Sequence, residues 1–271
     1  MIRRRTTSLN VSMILQVVER LQRGGRSGEE KNVTRWRIPS LLCLVLAGCS
    51  SAPVVRVSSG GFHSEVIGRS VEGREITAEI TGGRGPAYLI FGVIHGNEPA
   101  GEPLLRTLLG HLKSYPELYA GHRLVVIPVL NPDGLLKKSR YNSRGVDLNR
   151  NFPAKNFKKS KRNGPYPSSE PETRALMKMI RQFGPVRILA VHAPLFCVNY
   201  DGPADGLARS MAQASGYPLK PSIGYPTPGS LGSYAGGDLQ VPTITLELPA
   251  KISPGKAWAD LGRALELFVS D

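Results

Sequence analysis

The chain has 271 residues, 41% of them hydrophobic and 21% charged, a composition that suits a folded globular protein of one large or two small domains. Lys and Arg outnumber Asp and Glu by 35 to 21, a formal charge of +14, which admits an anionic wall polymer or a membrane surface as partner. No basic helix and no aromatic platform accompanies that charge, so nucleic acid is not an expected partner.

The excess is uneven. Residues 1–48 hold nine Lys and Arg against three Asp and Glu, which leaves 26 against 18 for the remainder. Residues 1–32 are polar and precede a stretch that has the order of a secretory signal, so they read as an extension upstream of a native start at Val33, a GTG codon. Residues 33–48 carry Arg35 and Arg37, then an apolar run over 38–47, then small residues. That run is too short to cross a bilayer, which takes ~20 residues. Its end, Leu46-Ala47-Gly48-Cys49, resembles the lipobox of bacterial lipoproteins. The resemblance implies that Cys49 is acylated and tethers the protein to a membrane beyond the cytoplasm, on the periplasmic side, with Ser50 favouring the outer membrane. If Cys43 leaves with the signal and Cys49 carries lipid, Cys197 is alone and no intramolecular disulfide forms. Cys197 is then expected to be a small buried hydrophobe. Residues 49–60 read as a tether, and 61–271 as one folded domain.

Within that domain, an early turn and an alternating stretch over 68–80 predict a hairpin. The apolar run 87–94 does not alternate, as expected of a strand buried on both faces. A helix over 98–112 follows, with Pro99 in its first turn and Leu104, Leu105, Leu108 and Leu109 at helical spacing. A second buried strand over 123–130 closes on the turn Asn131-Pro132-Asp133-Gly134. A helix over 169–183, a strand over 186–191, a helix over 204–214, a strand over 243–248 and a helix over 257–269 complete the order. Alternating strands and helices imply an α/β fold: a mixed, mostly parallel central sheet flanked by helices, with its site at strand carboxyl ends.

His95 and Glu98 sit three residues apart where the first buried strand gives way to its helix, and His192 stands just beyond another buried strand. Two histidines and one glutamate form a common set for a catalytic zinc, which keeps one position open. His63, His111 and His122 fit less well and are expected to be solvated. The loop over 140–153 gathers Arg140, Arg144 and Arg150 with Asn149, a cluster suited to clamping a carboxylate. Glu247 lies inside an apolar strand, a costly position unless the charge is used or paired.

These residues carry a resemblance to the zinc carboxypeptidase family, and within it to the bacterial murein peptide amidases. It spans roughly residues 66–250 and rests on HGNEP at 95–99, NPDG at 131–134, GVDLNRNFP at 145–153, His192, GYPTPGS at 224–230 and TLELP at 245–249. The resemblance implies one zinc ion held by His95, Glu98 and His192, with Glu247 as general base. It implies that Asp147 orients His95, that Arg140 steadies the oxyanion, and that Asn149 and Arg150 hold the substrate's free carboxylate. Tyr225, 22 residues before Glu247, falls near the family's mobile active-site tyrosine, with Tyr234 as its rival.

The resemblance further implies a peptidoglycan-derived peptide as substrate, cut between γ-D-glutamate and diaminopimelate. A broad carboxypeptidase acting on L-peptides is the alternative, and a non-catalytic wall-binding lipoprotein stands behind both. The basic run Lys155, Lys158, Lys159, Lys161 and Arg162 reads as a solvated loop, with attraction of anionic glycan or lipid as the alternative.

Overall fold

The computed structural model describes residues 60–83 and 85–270, which fall within one compact unit. The signal, lipidation and upstream-extension readings, Cys49 included, lie outside the described residues. Strand β1 (Gly60–Arg69) takes in Gly60, the last residue assigned to the tether. It turns back through Ser70–Arg74 into β2 (Glu75–Gly82), giving the expected hairpin.

β3 (Ala87–Gly92), β4 (Arg123–Ile127), β5 (Arg187–His192), β6 (Leu195–Asp201), β7 (Leu219–Lys220) and β8 (Thr243–Pro249) complete an eight-stranded sheet in the order β1-β2-β4-β3-β5-β8-β6-β7. Four of its seven neighbouring pairs are parallel: β4 with β3, β3 with β5, β5 with β8, and β6 with β7. The other three are antiparallel. The helices are α1 (Gly101–Ser114), α2 (Pro132–Lys137), α3 (Pro171–Phe183), α4 (Asp205–Ser215) and α5 (Pro254–Ser270).

The central strands show no alternation because both faces are covered, and residue parity sorts their side chains into two cores. Tyr88, Ile90, Leu189, Val191, Ile244 and Leu246 meet α1, α4 and α5 on one face. Leu89, Phe91, Ile188 and Ala190 meet α3 on the other, together with Leu148, Phe152 and Leu231 from the loops that carry the site.

Three local expectations are corrected. The helix expected from Glu98 begins at Gly101, because residues 95–100 form tight turns (Glu98 N–H to His95 O, 3.1 Å; Glu102 N–H to Pro99 O, 3.2 Å) that leave the Glu98 side chain facing the strand ends. The turn at 131–134 opens the short helix α2, whose first turn is capped by the Asn131 side chain accepting from Gly134 N–H at 2.9 Å. His63 is exposed as expected, but His111 is half-buried against Glu266 at 2.9 Å, and His122 packs on Tyr88 with ring centres 4.6 Å apart.

Strand β6 had no counterpart in the sequence reading. Its polar second half, Asn199-Tyr200-Asp201, hides a pairing that the register with β8 makes plain. Cys197 is fully buried within it.

Candidate active site

Three chain segments converge at the carboxyl ends of the parallel strands. His95 follows β3, His192 is the last residue of β5, and Glu247 on β8 stands beside it in register. His95, Glu98 and His192 are all buried, and their ligand atoms lie within 4.8 Å of one another. His95 Nδ1 is 2.8 Å from Glu98 Oε1, and His192 Nδ1 is 3.0 Å from Glu98 Oε2. The Ala193 N–H also donates to Glu98 Oε2, at 3.2 Å. Burial disfavours charge at Glu98, yet the two imidazoles prevail and hold its carboxyl well below the usual range.

The opposite edge of His95, its Nε2, is 3.0 Å from Asp147 Oδ1. A ring fixed in this way has one nitrogen for a metal and the other for a carboxylate, an arrangement that sets tautomer and orientation. Burial works against the His95 cation, but Asp147 and Glu98 together raise its pKa. Two nitrogens, one carboxylate oxygen and a supporting carboxylate suit zinc, so the residues present fit the ion that the sequence implies.

The other predicted residues gather around this cluster. Arg140 Nε donates to Asp147 Oδ2 at 2.9 Å, and its Nη1 is 3.4 Å from Glu98 Oε1. Asn149 donates its backbone N–H to Asp147 Oδ1 at 3.0 Å and accepts from Leu231 N–H at 3.0 Å through its side-chain oxygen. Its amide oxygen is thereby occupied, and its NH₂ is the group left for the cleft. Arg150 donates to the Asn149 carbonyl at 2.6 Å, and burial lowers its pKa, with Asp147 opposing and Arg140 adding to the fall. A bound carboxylate would relieve two guanidiniums held this close.

Glu247 is buried, with Leu195 N–H donating to its Oε2 at 3.2 Å, and burial pushes its pKa up despite the nearby His192. A raised pKa is what a general base working near neutrality requires. Apart from Asp147, all of these line one cleft of about 200 Å³. Of the two rival tyrosines, Tyr225 lines the cleft and is 54% exposed, whereas Tyr234 packs on Phe152 beneath it. Arg144 stays at the surface, 3.7 Å from Glu170, and the basic run over 155–162 is exposed.

The sequence reading missed how the loop over 138–170 is held. Buried Asn142 donates to Glu170 and Glu172 at 2.8 and 3.1 Å and accepts from the Arg144 and Val146 N–H groups. Buried Asn151 does the same further along, donating to the Asn163 and Tyr166 carbonyls and to Ser169 Oγ while accepting from Glu170 N–H. The reading also missed Asn199, Asp201, Ser230 and Thr245 in the cleft wall.

Residues 59–202, just over half of the chain, match the family described as zinc carboxypeptidase. Murein peptide amidase A of Escherichia coli (strain K12) is 38% identical over 177 residues, covering 59% of this chain and 70% of the relative. The carboxypeptidase N catalytic chain of Rattus norvegicus is 30% identical over 245 residues, covering 74% of this chain and 54% of the relative. Among solved structures, murein-tripeptide amidase from Escherichia coli O157 aligns with a TM-score of 0.66 at 32% identity, over 78% of this chain and 94% of that one. The family match and these likenesses agree, and the chain belongs to the zinc carboxypeptidase family.

Proposed function

We propose that this protein is a zinc-dependent amidase that hydrolyses the amide bond next to a free carboxylate in peptidoglycan stem peptides, at the γ-D-glutamyl-diaminopimelate linkage. The observation that carries it is the adjacency of a His-Glu-His cluster to the Asn149–Arg150 pair within one cleft. The identity with murein peptide amidase A supports the choice of substrate.

In this reading His95, Glu98 and His192 hold the ion, and Asp147 keeps His95 in its ligating tautomer. Zinc bound there supplies Lewis acidity, polarising a carbonyl and making water a stronger acid. Glu247 takes a proton from the attacking water and returns it to the departing amine. Arg140 faces the developing oxyanion with a fixed positive charge, where preorganised charge is most effective. Asn149 and Arg150 bind the free carboxylate, and Tyr225 at the cleft mouth covers the bound peptide. No covalent intermediate is required.

The same reading extends to location. A protein acylated at Cys49 and facing the wall from a membrane surface would meet intact stem peptides rather than recycled fragments. The likeness to carboxypeptidase N favours one second reading, trimming of ordinary L-peptides. Defined muropeptides incubated with the zinc-loaded protein, with and without chelator, and products identified by mass separate the two. Chelator-sensitive release of diaminopimelate is expected; trimming of L-peptides with muropeptides left intact would overturn the proposal.

A further inference from the structure

Between Pro153 and Glu170 the chain has no acidic residue, and Lys155, Lys158, Lys159, Lys161 and Arg162 put five cations within eight residues. All five are exposed, and among the described residues none forms an ion pair; Asp238 meets the run only by accepting from the Lys155 backbone N–H at 2.7 Å. The loop that carries them is nevertheless firmly held. The Asn163 side chain donates to the Lys158 carbonyl at 2.7 Å, and the Asn163 N–H to Ser160 Oγ at 3.0 Å. The Arg162 carbonyl accepts from the Asp147 N–H at 2.7 Å, and its guanidinium lies over the Tyr141 ring, 5.8 Å from the centre. Asn156 accepts from the Gly229 N–H at 2.9 Å and donates to Ser233 Oγ at 3.0 Å. Charges on a backbone already fixed lose less freedom when they bind.

These anchors set the loop on the rim of the active-site cleft. Asp147 supports His95, and Gly229 lies between Thr227 and Ser230, which both line the cleft. The chain enters the domain at the other end. Gly60 opens β1 opposite Gly82, and β2 runs antiparallel to β4, so Gly60 stands by the amino ends of β3 and β4 while the cleft lies at the carboxyl ends. An anchor at Cys49 would join the domain at that far end, which leaves the cationic loop facing what enters the cleft rather than the membrane. The substrate of the proposed reaction has the matching charge. A γ-linked glutamate keeps its α-carboxylate and diaminopimelate adds its own, so carboxylates outnumber amines on each stem peptide, and stem peptides repeat along a glycan strand. Lysine suits such a polyanion: it is a compact, hydrated point charge without the planar fork that selects one anion. Its field reaches about 8 Å at physiological ionic strength.

We propose that the loop over 155–162 is a second binding surface for the wall polymer: Lys155, Lys158, Lys159 and Lys161 engage carboxylates of stem peptides neighbouring the one in the cleft. The inference rests on the wall-peptide reading and deepens it, by making the polymer, not the single peptide, the partner. The lysines act on encounter and retention, so their effect falls on KM for the wall and not on kcat. Arg162, stacked on Tyr141, holds the loop instead of the partner.

The test compares full-length zinc-loaded protein with a variant carrying Lys155→Gln, Lys158→Gln, Lys159→Gln and Lys161→Gln, on purified wall sacculi and on the soluble tripeptide L-alanyl-γ-D-glutamyl-diaminopimelate. Co-sedimentation with sacculi reads binding without turnover. At low salt the variant is expected to bind sacculi about 10-fold more weakly, with the gap closing as salt is added. KM on sacculi should rise in step, while kcat/KM on the free tripeptide is unchanged. The pair Lys158→Gln and Lys159→Gln, which spares the Lys155 contact to Asp238, should show a smaller loss of the same kind and guards against misfolding of the fourfold variant. Sedimentation equal to wild type in both variants overturns the inference. So does an equal loss on the free tripeptide, which would place the lysines in the cleft. Vesicles of phosphatidylglycerol and phosphatidylethanolamine form a further arm: lysine-dependent binding to them, without binding to sacculi, assigns the loop to the membrane and overturns the inference as well. Lysine-dependent binding to sacculi by a protein that cuts neither substrate sustains the surface and sinks the amidase reading instead.

Discussion

At the scale of single residues, the candidate site separates groups that touch substrate from groups that hold others in place. Glu247 belongs to the first kind. Glu247→Gln keeps the shape and the Leu195 N–H contact but removes the base, so kcat should fall by about 10²–10⁴-fold while zinc stoichiometry, read by atomic absorption, is unchanged. Asp147 belongs to the second kind. Its oxygens are shared between His95, Arg140 and the Asn149 N–H. Asp147→Asn presents an amide where three donors now converge, and zinc affinity in a competition titration should drop by about 10–100-fold. Equal affinity in variant and wild type would show that the His95 ring is oriented by its packing alone.

At the scale of elements, the turns that present the site depend on close backbone approach. The Asn131 side chain donates to the Ile94 carbonyl at 3.2 Å and draws the start of α2 against the turn after β3. A Cβ at Gly96 would fall 1.9 Å from the Gly134 carbonyl carbon, so the HGNEP and NPDG segments are two halves of one contact. Gly96→Ala should therefore destabilise the protein by about 1–3 kcal/mol or more, by overpacking against backbone that cannot yield. Gly110→Ala, exposed on α1 with nothing within 4 Å of its Cβ, should instead stabilise by about 0.5–1 kcal/mol. Thermal melts of the two variants should move in opposite directions. The same scale explains what the sequence could and could not reveal. His95, Glu98, His192 and Glu247 stood out because titratable groups at the ends of apolar strands are hard to account for otherwise. Asn142 and Asn151 did not, since their partners lie up to 30 residues away and an asparagine in a loop has no pattern of its own. Asp201 was hidden for a related reason: β6 is a strand by virtue of β8, 40 or more residues later, not by its own alternation.

At the scale of the whole molecule, the buried carboxylates do not share one pH response. Asp133 is desolvated but answered by Ser70 and Arg74, and its folded pKa is depressed. It contributes stability above its free range, near 3.8, that is lost as pH falls through the folded value. Asp201 has the opposite sign. Its pKa is raised by burial, so the charged form opposes folding once pH climbs above that of the free carboxyl, and the two states respond alike below it. Asp201→Asn should accordingly raise Tm at neutral pH, with the gain shrinking as pH falls and vanishing below about 3.8, the free carboxyl value. A gain that is constant across pH would assign the effect to packing rather than charge.

The short turn over Leu148–Arg150 joins two tasks in the proposed function: Asp147, just before it, supports the His95 imidazole, and Asn149 and Arg150 are the proposed carboxylate clamp. Because the Asn149 N–H and the Leu231 N–H lock that turn from both sides, the span from bond-cutting centre to clamp is a fixed ruler. A ruler of one residue measures inward from a chain end. Such an enzyme trims termini and leaves the interior of a cross-linked network untouched.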